Sequence, residues 1–242
     1  MIRSRRSAIA TVAATLLAGT PAFAQKGASM TEAEARKAGS ETILKKEGVP
    51  FIAHLPLVDD LAEARFRSTT DTTERVIALM IAAIHGETAD KKWVDELVRD
   101  WQAAGHFTPD ERRFVQNAKP SDDDRSQFSW RYEGVWVLLW ALGFSEKLGR
   151  PDKQIDVASM AKLMFDLGPK KFRAKAMLRD RGEILDALDL VYRYHWACVD
   201  ARIKNKQAPA GLDAGVVMEW HYALNWLTCY NDQDWDDIST DT

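Results

Sequence analysis

The stretch that organises this sequence runs from Leu178 to Ile203 and reads LRDRGEILDALDLVYRYHWACVDARI. It keeps a helical apolar repeat over its whole length and contains no proline. Asp180 stands three residues before Glu183, a spacing at which both side chains can satisfy the first free amides of a helix. The pattern therefore predicts a central helix near residues 181–203.

Charged residues lie on this predicted helix where little solvated surface remains. At 100° per residue, one wide apolar face gathers Ile184, Leu185, Leu188, Val191, Tyr192, Val199 and Ile203. The opposite stripe holds Asp186, Asp189, Arg193 and Asp200 with Trp196, flanked by Leu190 and Tyr194. Because Asp189 and Arg193 are four residues apart, their side chains can meet in a bidentate pair. We expect that pair to be buried or half-buried.

The first 24 residues have the composition of a secretory signal peptide. They contain a basic start with Arg3, Arg5 and Arg6, an apolar core from Ala8 to Ala18, and the cleavage sequence Ala22-Phe23-Ala24. The apolar run is shorter than the roughly 20 residues that span a bilayer. We therefore expect cleavage after Ala24, a linker at residues 25–30, and a periplasmic or secreted mature protein that does not span the membrane. Ser4-Arg5-Arg6 resembles a twin-arginine motif, so the Sec and twin-arginine routes both stay open.

Composition places the chain of 242 residues among soluble globular proteins, since it is 46% hydrophobic and 29% charged. Without the three arginines of the signal, 30 basic residues face 36 acidic ones, a formal net charge of −6. A net acidic protein is a poor nucleic-acid binder, so we expect no nucleic-acid partner. Export would permit a disulfide between Cys198 and Cys229, and two buried thiols are the alternative.

The rest of the chain also reads as helices. Start signals and apolar stripes predict helices at residues 31–46, 72–85, 89–104, 109–117, 128–142, 156–167 and 214–228. Residues 49–57 carry two prolines and predict an extended arm over the core, and Lys119 to Arg125, KPSDDDR, predicts a surface loop. No segment alternates as a strand does. We predict a single all-α domain over residues 31–242.

Several motifs along the mature chain occur in a fixed order. They are Gly48-Val49-Pro50 with Leu55-Pro56, Trp130-x-x-Glu133 leading to Leu139-Trp140-Ala141-Leu142-Gly143, Leu178-Arg179 with Glu183-Ile184-Leu185-Asp186 and Asp189-Leu190-x-Tyr192-Arg193-x-x-Trp196, and Ala223-Leu224-Asn225-Trp226-Leu227 before Trp235-Asp236-Asp237 and Thr240-Asp241-Thr242. As a set they resemble an uncharacterised bacterial family, the domain of unknown function 4272. In that family an Arg often follows the residue equivalent to Glu219, whereas this chain has Trp220. The family is known by sequence only, so the resemblance implies an all-helical fold and no activity. Export is unusual for it.

The candidate functional residues are polar groups in or beside apolar stretches. The catalytic candidates are Glu133, Asp186, Asp189 and Arg193, and the binding candidates are Trp196, Glu219 and His221. Burial beside other charges shifts carboxylate pKa values, which general acid–base catalysis requires. The same residues could instead form a structural ion-pair network. The sequence leaves both interpretations open.

Metal and cofactor signals are weak. The chain has no H-E-x-x-H, glycine-rich phosphate loop, G-x-S-x-G or CxxC motif. His195 and His221 could share a metal, although a hydrogen-bonded core histidine is the alternative. Asp232, Asp234 and Asp236 imitate a calcium loop, but the glycine and distal glutamate of such a loop are missing.

Two functional hypotheses follow. The first is a protein with a binding or interaction role, no catalysis and no cofactor, whose partners and oligomeric state the sequence does not define. The second is a hydrolase-like enzyme that uses Asp186, Asp189 and Glu133 around Arg193 on a cell-envelope substrate. A solvent-accessible cleft at these residues would favour the second hypothesis.

Overall fold

The computed structural model of the protein describes residues 30–242, so the predicted signal peptide and most of the linker lie outside the described residues. All regular structure within residues 30–242 is helical, which confirms the all-α prediction there. The helices are α1 (Glu32–Glu47), α2 (Thr69–Thr88), α3 (Lys91–Asp100), α4 (Pro109–Gln116), α5 (Asp122–Ser129), α6 (Arg131–Ala141), α7 (Val157–Lys175), α8 (Arg181–Ile203) and α9 (Ala214–Leu227). Among them, no helix combines the length and the apolar character needed to cross a membrane.

The central helix predicted from the sequence is α8. Its N-cap is Asp180, whose Oδ1 accepts hydrogen bonds from the amides of Gly182 and Glu183. The Glu183 carboxylate binds Arg179 instead of completing a capping box. Ile203, which we expected on the apolar face, is 74% exposed because it occupies the last residue of the helix.

Pairwise helix packing builds the core. Helix α8 packs against α9 and α1, α9 packs against α6, and α6 packs against α2, which also contacts α5. The interior of α2, Val76 to Ile84, is buried on all sides, as its uninterrupted apolar sequence predicts. A smaller apolar cluster, which includes Leu44 and Tyr194, joins α1 to α8.

Several predicted boundaries were wrong. Helix α2 begins after an N-cap at Ser68 rather than at Asp71, and α3 begins after Asp90. The predicted loop at Lys119 to Arg125 contains the start of α5, whose N-cap Ser121 accepts from the amide of Asp124. Helix α7 continues to Lys175 across a kink at Gly168, where φ is 66°.

The segment between α1 and α2 is the proline-containing arm, residues 49–68, and it has no regular secondary structure. Hydrogen bonds to the neighbouring elements fix it in place, and three of them show its path. The Ala33 amide donates to Asp60 Oδ1 at 2.7 Å, the Lys37 ammonium donates to the Leu55 carbonyl at 3.1 Å, and the Arg67 amide donates to the Leu227 carbonyl at 2.9 Å. The arm therefore links α1 to the end of α9 and passes over α8.

Candidate functional site: the arm cavity and the polar groups around it

Asp189 and Arg193 form a bidentate ion pair, and neither side chain has any exposed surface. The guanidinium Nε donates to Asp189 Oδ2 at 2.8 Å, and Nη2 donates to Oδ1 at 2.7 Å. Nη2 also donates to the Pro56 carbonyl of the arm at 3.4 Å. The remaining nitrogen, Nη1, is buried and has no hydrogen-bond partner within residues 30–242. The polar stripe of α8 is therefore closed to solvent at this pair.

The other candidate carboxylates have separate partners. The Asp186 side chain is 68% exposed and accepts from Arg36 Nε at 3.1 Å. Glu133 is buried on α6, where it accepts from the Ile155 amide at 3.0 Å and from Trp220 Nε1 at 2.9 Å. Within the described residues, no hydrogen bond or ion pair joins Asp186 or Glu133 to Asp189 or Arg193. The four catalytic candidates thus do not form one contacting group around Arg193.

Glu219 belongs to a second buried polar group, together with Glu133. Burial raises the pKa of Glu219 to about 7, although the Arg131 guanidinium, 3.4 Å away, acts in the opposite direction. Burial also raises the pKa of Glu133, although the hydrogen bonds from Ile155 and Trp220 act to lower it. Trp220 follows Glu219 in the sequence and lies beside Glu133. Its indole N–H keeps a hydrogen bond to Glu133 but supplies no positive charge.

The two histidines considered for a metal site lie together between α8 and α9. The Nδ1 atoms of His195 and His221 are 2.9 Å apart. Burial lowers the pKa of His195 to about 4 and that of His221 to about 3. Both rings are therefore neutral at pH 7, and a hydrogen bond between two Nδ1 atoms requires that only one of them carries a proton. No group of three or more potential His, Cys, Asp or Glu ligands converges anywhere in residues 30–242.

His221 also lines a cavity of about 670 Å³, which we call the arm cavity. Its walls come from the arm, α8, α9 and the tail, which we define as residues 228–242. The apolar lining residues include Leu55, Pro56, Leu57, Val58, Ala64, Leu185 and Leu188, and the uncharged polar residues on the helices, besides His221, are Tyr192 and Asn225. Because His221, Tyr192 and Asn225 project from two packed helices, their positions are fixed by the core rather than by a loop.

Charged side chains around the arm cavity are mostly acidic. Asp59 and Glu63 come from the arm, and Asp232 and Asp241 come from the tail. The one arginine among the lining residues, Arg65, forms an ion pair with Asp232. Asp241 accepts from the Tyr230 hydroxyl at 3.4 Å. The cavity therefore joins an apolar interior to a negatively charged rim.

The tail reaches the cavity through unusual backbone conformations. Cys229, Asn231 and Asp232 have φ values of 54°, 51° and 56°, in the left-handed region that non-glycine residues rarely adopt. All three line the arm cavity. No sequence pattern marks this turn, because asparagine and aspartate are common in ordinary loops as well.

The remaining candidates lie elsewhere. Trp196 is half-buried and packs on the smaller apolar cluster between α1 and α8. Asp234 lies 4.0 Å from Arg67, and Asp236 accepts from the Asp110 amide at 3.2 Å, so the three tail aspartates have three different partners. Both cysteines are free thiols, with Cys198 buried and Cys229 partly buried.

His221, a binding candidate from the sequence, lines a cavity that no sequence pattern predicts. The helical repeat places Tyr192 on the apolar face of the central helix, and Asn225 has no sequence signal beyond its place in the motif Ala223-Leu224-Asn225-Trp226-Leu227. Asp59 and Glu63 of the arm could not be predicted as cavity residues, because they lie in a segment without a periodic sequence pattern. Only the packing of the arm and the tail over α8 and α9 brings these residues together.

No curated protein and no solved structure matches this chain. A family model does match: that of the domain of unknown function DUF4272, over residues 36–238. This range includes every helix of the described structure except the first turn of α1. The chain therefore belongs to the DUF4272 family, as the order of its motifs predicted.

Proposed function

We propose that this protein binds a small organic molecule in the arm cavity and performs no catalysis there. The observation that carries the proposal is the set of polar side chains His221, Tyr192 and Asn225, which packed helices fix in the wall of this cavity. The cavity volume of about 670 Å³ lies within the range of roughly 300–1,000 Å³ typical of small-molecule sites. Such sites combine apolar walls with a few fixed polar groups, and the leucines with His221, Tyr192 and Asn225 match that description.

The hydrolase-like alternative gains no support from the geometry. It requires Glu133, Asp186 and Asp189 to act on one substrate. Asp186 binds Arg36 at the surface, while Asp189 is engaged in a closed ion pair with Arg193. Glu133 accepts two hydrogen bonds from neighbours of its own. A structural role for these residues accounts for all of these contacts.

A bulky side chain at the cavity wall tests the proposal. Ala64 lines the cavity, and Ala62, two residues earlier, is exposed and does not. Ala64→Trp would therefore fill the cavity, and Ala62→Trp provides the matched control. We expect a fragment library screened by ligand-observed NMR to contain compounds that bind the wild type and Ala62→Trp but not Ala64→Trp. If no compound shows this pattern, the cavity is not a binding site.

Export is part of the same proposal. The signal-like composition of residues 1–24 supports a mature chain that begins at Gln25 in the periplasm or outside the cell. Intact mass spectrometry of the protein recovered from its native host measures this directly. A chain that keeps residues 1–24 would contradict the export proposal but would leave the binding proposal unaffected.

A further inference from the structure

We infer that the ligand of the arm cavity is an organic cation, an amine carried on an apolar body. The inference rests on the proposed function and deepens it by naming the ligand class. Three features of the cavity support it: the unbalanced charge of its rim, the buried imidazole in its wall, and the apolar surface beside that imidazole.

The rim has unneutralised negative charge. Arg65 is matched by Asp232, which leaves Asp59, Glu63 and Asp241 without an ion-pair partner in the described part of the chain. An anionic ligand would meet these carboxylates without a free cation to bind it. A cationic ligand would be attracted by all three, since like charges in one cleft focus the field on an entering ion.

His221 gives the cavity a hydrogen-bonding atom on a side chain that is otherwise buried. The side chain is 3% exposed, and its Nδ1 is engaged with His195, which does not line the cavity. The other ring nitrogen, Nε2, has no hydrogen-bond partner within residues 30–242 and is the polar edge left for a ligand. A neutral imidazole can accept a hydrogen bond from an ammonium group through this nitrogen.

The contact with His195 permits two arrangements of protons, and in one of them His221 can accept from a ligand. When His221 carries its proton on Nδ1 and donates it to His195 Nδ1, its Nε2 has a free lone pair. His195 then carries its own proton on Nε2. A bound amine stabilises this arrangement, because the opposite arrangement would direct an N–H of His221 at the ligand's N–H groups. In this arrangement His195 accepts the Nδ1 proton of His221 and does not itself line the cavity.

The walls of the cavity suit an apolar body rather than a metal ion. The Tyr192 ring lies 5.5 Å from that of His221, and burial keeps the Tyr192 pKa above its ordinary value, so its phenol is neutral. An aromatic face attracts an ammonium group within about 6 Å of its centre. Leu185 and Leu188 continue the wall with aliphatic surface. Because three potential metal ligands converge nowhere in residues 30–242, the rim acids do not form a coordination site.

Three probes of similar shape and different charge test the ligand class. They are phenethylamine, the neutral 2-phenylethanol and the anionic 3-phenylpropanoate. We expect isothermal titration at pH 7.5 to show that the amine binds at least about tenfold more tightly than either other probe, a difference of about 1.4 kcal/mol. Equal or tighter binding of the alcohol or the carboxylate, or binding of none of the three, overturns the inference. The fragment screen with Ala64→Trp judges the cavity separately, so a wrong ligand class can be distinguished from a cavity that binds nothing.

Variants at the exposed rim test whether its negative charge contributes to binding of the amine. Asp59→Asn and Glu63→Gln remove negative charge from the rim, whereas Glu146→Gln removes the same charge from an exposed site away from the cavity. We expect each rim variant to weaken the amine several-fold and to leave the alcohol unchanged, with no effect from Glu146→Gln. Identical amine binding in all three variants would contradict the role of the rim.

The imidazole can be followed without a substitution. In ¹⁵N-labelled protein, titration with phenethylamine should move the His221 nitrogen shifts towards the form protonated at Nδ1. Binding of the amine that leaves both histidine spectra unchanged would exclude His221 as the acceptor.

Discussion

Arg193 and Asp189 are paired through two parallel hydrogen bonds of 2.8 and 2.7 Å inside α8, and both side chains are completely buried. Removing one partner leaves an uncompensated charge in the core, which costs about 3–5 kcal/mol. We therefore expect Arg193→Ala to lower the free energy of unfolding by about that amount, as measured by urea denaturation.

An exposed pair with the same spacing provides the control. Lys162 and Asp166 are also four residues apart, and their side chains are 72% and 62% exposed. Lys162→Ala should cost only about 0.3–0.5 kcal/mol. Replacement of both Asp189 and Arg193 by apolar residues of similar volume should recover much of the loss if the pair is structural. A cost below about 1 kcal/mol for Arg193→Ala would mean that the pair is solvated in solution.

Local contacts could be predicted from the sequence, and long-range contacts could not. The pair of Asp189 and Arg193 follows from their spacing on one helix, and so does the N-cap of α8. The exposure of Asp186 depends on where α1 places Arg36, 150 residues away in the sequence. The arm cavity depends on how two irregular segments pack over α8 and α9, and neither segment has a periodic pattern that predicts its path.

Helix α5, where the sequence predicted a loop, is an element whose position depends on a tertiary contact. Its sequence begins with three aspartates and reads as a loop, yet it packs closely against α2 at Gly86. A Cβ at Gly86 would lie 2.7 Å from the Arg125 carbonyl oxygen and 2.9 Å from the Ser129 amide nitrogen. Both are backbone atoms of α5, so the two helices can be this close only if residue 86 is glycine.

Gly86→Ala should therefore force α2 and α5 apart. We expect it to destabilise the protein by about 1–3 kcal/mol, the usual cost of overpacking. Gly39→Ala on α1 is the matched control, because a Cβ there would meet nothing within 4 Å. That substitution should raise stability by about 0.5–1 kcal/mol. Thermal unfolding of both variants measures the difference, and equal melting temperatures would contradict the close contact.

The two thiols give a prediction about oxidation. Cys198 is buried, and burial raises its pKa to about 11, while Cys229 is partly buried. Since the structure contains both as free cysteines, reductant should leave the melting temperature unchanged. Thiol titration of protein purified without reductant should give two thiols per chain after denaturation. Fewer than two would indicate a disulfide that the fold does not contain.

The histidine pair predicts how stability depends on pH. An unfolded histidine has a pKa near 6.5, whereas His195 and His221 in the fold have pKa values of about 4 and about 3. Between pH 6.5 and 4 the unfolded chain therefore binds protons that the folded chain does not. Stability rises with pH wherever the unfolded state binds more protons. The contribution of the pair to stability is complete above pH 6.5 and is lost as the pH falls.

Glu219 has the opposite effect on the pH dependence of stability over part of this range. Its pKa is about 7 in the fold and near 4.5 when exposed, so the folded chain binds one extra proton between these values. Glu133, whose pKa burial also raises, acts in the same direction as Glu219. The two histidines have the wider effect, because the unfolded chain binds their extra protons down to about pH 4. We expect the free energy of unfolding to fall from pH 6.5 towards pH 4.5, with a slope of about 1.4 kcal/mol per pH unit for each net proton.

Two variants separate these contributions. Glu219→Gln removes the group that takes up a proton in the folded chain, so the free energy of unfolding should fall more steeply as the pH is lowered. In the double variant His195→Phe/His221→Phe only Glu219 remains of the three groups, and stability should increase as the pH falls from 7 to 5. Urea denaturation at half-unit steps of pH measures all three proteins. If the double variant keeps the slope of the wild type, His195 and His221 are not the buried neutral groups that the 2.9 Å Nδ1 contact implies.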